Sequence, residues 1–134
     1  MAEIPQKPQK TVEEIATEAG LYAVDAYHFV GAGLNYTVQK LKGDIKDPDV
    51  NRHITGRELS EGLREFALMQ WGMLARTVLA RWNVRRTEDF GRIVFLLVEN
   101  GWLSKTEQDS EADFKDVFDF DSAFGPDYRI EAKP

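Results

Sequence analysis

The 134 residues, 43% of them hydrophobic and 11% aromatic, suffice for one packed domain and are too few for two, and the net charge is −6 with a pI near 4.9. No cysteine is present, which excludes disulfides, thiolate metal sites and a cysteine nucleophile. The opening MAEIPQKPQK has no apolar leader core, and the longest apolar run, Ile93 to Val98, is far too short to span a bilayer, so the expectation is a cytoplasmic protein with no membrane association.

Residues 1–10 read as a disordered N-terminus, 11–124 as a single globular domain and 125–134 as a C-terminal tail. Thr11-Val12-Glu13-Glu14 is a capping box, with a threonine cap and a glutamate three residues on; it opens a short helix that Gly20 closes. From about residue 23 to 41, Tyr27, Val30, Leu34, Val38 and Leu41 recur at helical spacing and predict one buried stripe. Phe29 and Tyr36, seven residues apart, share the opposite face, where they are either a second core contact or a docking patch for a homodimer or another protein. His28 falls on a polar boundary strip with Asn35 and Gln39, and reads as a half-exposed boundary residue. In the same segment Gly31-Ala32-Gly33 reads as a small-residue site for close helix packing.

A charged loop containing Gly43 and Asp47-Pro48 follows, then a second capping box, Thr55-Gly56-Arg57-Glu58. His53 stands just before that helix start, with Arg52 and Arg57 beside it. The group is a candidate anion site at a helix N-terminus, or a simple staple in which Ile54 packs near Leu59 while Thr55 caps. Leu59, Leu63, Phe66 and Gln70 mark one face of the helix. Gly72 then predicts a sharp bend, behind which Leu74, Val78 and Trp82 start a new helical run.

Asn83 suits the left-handed conformation past a helix end, Thr87 reads as the cap of the next helix, and Asn100-Gly101 as its stop. A strand at residues 102–106 paired with residues 117–120, where Phe118 and Phe120 alternate with aspartates, would form a wing. The expected fold is therefore mainly α, a compact helical domain with a winged-helix-like half: a helix-turn-helix plus a small C-terminal β-hairpin over residues 56–124, preceded by N-terminal helices over 11–41.

The blocks AYHFV, RHITGRELSEGLREFALMQWG, WNVRRTEDFGRIVFLLVENGWLSKTEQDS and FDFDSAF resemble an uncharacterised bacterial protein family largely restricted to planctomycetes and verrucomicrobia. The resemblance covers roughly residues 22 to 124. Met73 departs from it, since a proline is expected after Gly72. It implies a single compact domain and no particular activity.

A DNA-reading helix needs a polar, cationic outer face. On the helix after Thr87, Phe90, Ile93, Val94 and Leu97 form the inner side, while the outer side carries Glu88, Arg92, Phe95, Leu96 and Glu99. Two carboxylates there oppose phosphate, and Phe95 and Leu96 demand cover from the helix over 23–41 or from a partner protein. Nucleic acid stays as the alternative through Arg76, Arg81, Arg85 and Arg86, which lie before and within the turn.

Charge is uneven: residues 56–86 hold six arginines against three glutamates, and residues 109–134 hold eight carboxylates against three cations, a pattern for internal pairing or a bipolar surface. Asp109-Ser110-Glu111-Ala112-Asp113 imitates the start of a calcium loop. Phe114 stands where glycine is needed, however, and Phe120 where a bidentate glutamate is needed, which excludes an EF-hand. No GxSxG, P-loop, HExxH or dinucleotide fingerprint occurs, so no catalytic residue, cofactor or metal ligand is predicted. The function expected is a non-catalytic protein-interaction or regulatory module that binds another protein or itself; the alternative is a winged-helix-type nucleic-acid-binding regulator.

Overall fold

The computed structural model of the chain describes residues 1–3, 10–43 and 53–125. These form, in chain order, β1 (Ala2–Glu3), α1 (Val12–Ala19), α2 (Val24–Lys42), α3 (Gly56–Trp71), a 3-10 turn (Gly72–Leu74), α4 (Ala75–Arg81), α5 (Thr87–Glu99), β2 (Leu103–Ser104), a second 3-10 turn (Glu111–Phe114) and α6 (Phe120–Ala123). The protein is mainly helical and compact, and no helix among the described residues is long and apolar enough to cross a membrane.

Two helices start where local chemistry supplies both halves of a capping box. The Thr11 hydroxyl accepts the Glu14 N–H at 3.1 Å while the Glu14 carboxylate accepts the Thr11 N–H at 2.9 Å. Thr55 and Glu58 repeat this at 3.0 and 2.8 Å. The start of α5 is built differently, which corrects the expectation of a Thr87 cap. Asp89 accepts the N–H groups of Arg85 and Arg86 through Oδ2 at 2.8 and 3.2 Å, and the Tyr22 hydroxyl through Oδ1 at 2.6 Å. Thr87 lies inside the helix, fully buried, and its hydroxyl accepts the Val117 N–H at 3.2 Å. The aspartate at the third helical position ties down the two amides just before the helix, and the threonine is left to fasten the C-terminal segment.

The centre of the molecule is α2, which packs against α1, α3 and α5. Its approach to α3 is set by two glycines: a Cβ on Gly33 would overlap Leu63, and one on Gly62 would overlap Thr37, whose hydroxyl is turned back onto the Gly33 carbonyl at 2.7 Å. Of the stripe on α2, Tyr27, Val30, Leu34 and Val38 are buried, while Leu41 is exposed where the helix runs past the core. Phe29 is also buried, its ring centroid 5.4–6.5 Å from those of Phe66, Trp71, Trp82 and Phe90. The docking patch considered for Phe29 is thereby corrected: a helix contacted on three sides buries both faces. On α5 the inner residues Phe90, Ile93, Val94 and Leu97 are buried, and Phe114 is pressed into a notch that exists because Gly91 and Gly56 lack side chains; a Cβ on either would lie 2.8–2.9 Å from Phe114.

The β-hairpin wing does not form. Leu103–Ser104 pairs antiparallel with Ala2–Glu3, in the register Ala2 with Ser104 and Glu3 with Leu103. The same pairing corrects the N-terminus, whose first three residues are ordered against the domain. Residues 117–120 are not a strand. Asp119 accepts the Ser122 N–H at 3.1 Å and caps α6, which buries Phe120 and Phe124 four residues apart. The Asp–Phe alternation is thus a cap followed by one helical turn, a pattern that period-two counting cannot separate from a strand over so few residues. The remainder of the expected N-terminal segment, residues 4–9, the loop residues 44–52 and the tail from 126 onward lie outside the described residues.

Candidate interaction surface

The chain changes direction at Gly72, whose φ of 52° and ψ of −124° match the first central position of a type II′ turn, a conformation closed to side chains. Its carbonyl accepts the Ala75 N–H and starts α4 on a new axis. This change of axis takes Met73 and Leu74 off the buried face, so Leu74 is 63% exposed instead of core, with Met73 at 62% and Met69 at 67%. Trp71 and Trp82, at the two ends of the elbow, meet edge to face with centroids 5.4 Å apart, and Phe29 contacts both rings. The three exposed side chains are therefore carried on a braced support. Sequence reasoning missed this surface. Its signal was the pair Met69 and Met73, which had no place on either helical stripe around Gly72.

From residue 66 to 87 the sequence contains no aspartate or glutamate and four arginines: Arg76, Arg81, Arg85 and Arg86. All four are exposed. Arg76 pairs with Asp121, so the expected internal pairing of basic middle and acidic end is present at this contact. Arg85 donates to Asn83 Oδ1 at 3.3 Å and the Ala80 carbonyl at 3.5 Å. A groove of about 310 Å³ lies between Arg76, Thr77, Ala80, Val84, Arg85 and Phe120. A second hollow of about 370 Å³ adjoins it and sets Arg85 and Arg86 beside Glu88, Asp116 and Asp119. Where a phosphate backbone would lie, the arginines are interleaved with carboxylates. Arg64 belongs to the same side, its guanidinium 5.8 Å from the Phe118 ring centroid.

The remaining sites from the sequence reading are dispersed. Phe95 and Leu96 are half-buried and pack against the core. His28 is exposed with Nε2 3.1 Å from a Glu13 oxygen. His53 and Arg57 are exposed at the start of α3, whose amides are taken by its own capping box over a buried Ile54 and Leu59; Arg52 lies outside the described residues. In the acidic segment, Asp109 accepts the Met1 ammonium at 3.1 Å and the Thr106 N–H at 2.9 Å, and Asp113 accepts the Ser110 N–H at 3.0 Å. Burial raises the Asp109 carboxyl, but these hydrogen bonds and the ammonium outweigh it and hold its pKa below the usual range. Among the described residues no three His, Asp or Glu side chains converge as metal ligands do.

Tyr36 is half-buried, its ring 5.6 Å from that of Phe66 and its hydroxyl donating to Glu65 at 3.0 Å, with Lys40 donating to the same carboxylate. Burial raises the Glu65 pKa, yet the hydrogen bonds from Lys40 and Tyr36 bring it below its ordinary 4.5. A carboxylate with a depressed folded pKa adds stability above the unfolded pKa and loses it as pH falls through the folded one. Tyr36→Phe is therefore expected to cost about 1 kcal/mol at neutral pH and progressively less below about pH 4, read by thermal melts across that range.

Comparison of the chain with protein-family models, with curated proteins and with solved structures finds no match.

Proposed function

We propose that the chain is a non-catalytic protein-interaction or regulatory module of the cytoplasm, and that the elbow at Gly72 is its binding surface. The observation that carries this reading is the trio Met69, Met73 and Leu74, each more than 60% exposed on a support braced by Trp71 and Trp82. Large apolar groups held rigidly in water cost free energy until a partner covers them, and methionine adapts its shape to that partner. The resemblance to the planctomycete and verrucomicrobial family belongs to the same proposal and adds no activity to it.

The helix-turn-helix arrangement of α4 and α5 also raises nucleic-acid binding through Arg76, Arg81, Arg85 and Arg86. The carboxylates of Glu88, Asp116, Asp119 and Asp121 among those arginines weigh against it, because they repel phosphate. The test replaces Met73 and Leu74 by serine together. The melting temperature is expected to stay within a few degrees, as for surface changes, while proteins retained by the native chain in affinity capture are lost. Retention of the same proteins by the variant, or a salt-sensitive shift of duplex DNA abolished by Arg85→Glu with Arg86→Glu, would overturn the proposal.

A further inference from the structure

We infer that the elbow takes a short acidic segment of a partner protein that carries apolar side chains beside its carboxylates. The inference rests on the reading of the elbow as a binding surface and adds the chemistry of what it binds. Met73, Thr77 and Arg81 follow at intervals of four residues, so the apolar tip and the arginine lie along one exposed row of the 3-10 turn and α4. Arg81 makes no ion pair among the described residues, and no acidic residue occurs on the elbow or on α4 to neutralise it. A partner rimmed with lysine would set like charges together; one rimmed with aspartate or glutamate supplies the missing counter-charge.

An acidic membrane or a nucleic acid offers negative charge too, but each presents it over an extended surface. Such a surface extends beyond a single row of side chains and would also meet the carboxylates of Asp116, Asp119 and Asp121, which border Arg76, Arg85 and Arg86. A short peptide segment can lie along the exposed row Met73, Thr77 and Arg81, which carries no carboxylate of its own. The observations therefore favour a protein segment.

The experiment pans a random peptide display library against the full chain and, in parallel, against the variant carrying Met73→Ser and Leu74→Ser. Peptides held by the native chain and lost by the variant are expected to combine Asp or Glu with Leu, Phe or Trp. A labelled peptide from that pool should bind about tenfold more weakly to Arg81→Glu, an exposed change that leaves the fold intact, and more weakly as salt rises. Elbow-dependent peptides with no excess of acid, or an unchanged affinity in Arg81→Glu, overturn the inference and leave the binding surface standing. Absence of any elbow-dependent peptide sinks both. Phosphatidylserine vesicles or duplex DNA that bind the native chain and not the serine variant overturn the inference in favour of a membrane or a nucleic acid.

Discussion

Phe29→Ala is expected to lower the stability by about 3–5 kcal/mol and the melting temperature by roughly 10 °C or more, with the oligomeric state unchanged. The ring is 6% exposed and lies within 6.5 Å, centroid to centroid, of Phe66, Trp71, Trp82 and Phe90. Truncation removes contacts to four aromatic rings that belong to three different helices or their ends, α3, α4 and α5, and no single neighbour can collapse into the space. Because Trp71 and Trp82 brace the elbow, the loss should also increase solvent access to their indoles, visible as a red shift of tryptophan emission. Tyr36→Ala should cost less, since that ring is half-buried and its hydroxyl is on the rim. Thermal melts and sizing at several concentrations check both. An unchanged melt together with altered self-association in Phe29→Ala would refute the core placement.

The parts of the fold legible in the sequence are those that depend on neighbours within a few residues. The Thr11–Glu14 and Thr55–Glu58 boxes, the left-handed Asn83 with φ of 69°, and the inner face of α5 follow from spacing alone. Phe29 was ambiguous because a helical wheel ranks faces but does not say how many neighbours a helix has, and α2 has three helices around it. The strand pair was hidden because its two halves are about a hundred residues apart, and the Thr87 cap was misplaced because the helix starts one residue earlier, with Asp89 holding the Arg85 and Arg86 amides and Thr87 engaged by distant Val117. The elbow was half legible. Gly72 announced a bend, but the direction of the bend decides whether Leu74 is core or surface, and that direction is fixed by backbone angles that residue spacing does not report.

The same glycine-mediated packing that seats α2 on α3 allows a test in which substitution at two glycines of one helix is expected to have opposite signs. Alanine is favoured over glycine in a helix interior by about 1 kcal/mol. At Gly31 a Cβ meets nothing within 4 Å, so Gly31→Ala should stabilise by up to that amount. At Gly33, two residues on, the new methyl would overlap the side chain of Leu63, which is fully buried. Overpacking of this kind costs about 1–3 kcal/mol, enough to outweigh the propensity gain, and Gly33→Ala should destabilise. Leu63→Ala alone should cost about 2–5 kcal/mol through the cavity it leaves. Combined, the two changes relieve each other, because the methyl at 33 enters the space vacated at 63. The double variant should therefore be more stable than the sum of the singles by at least about 1 kcal/mol, a coupling that denaturant unfolding can measure. Additive losses, or a Gly33→Ala as stabilising as Gly31→Ala, would mean that α2 and α3 are not in the close contact on which the burial of Phe29 and the bracing of the elbow both depend.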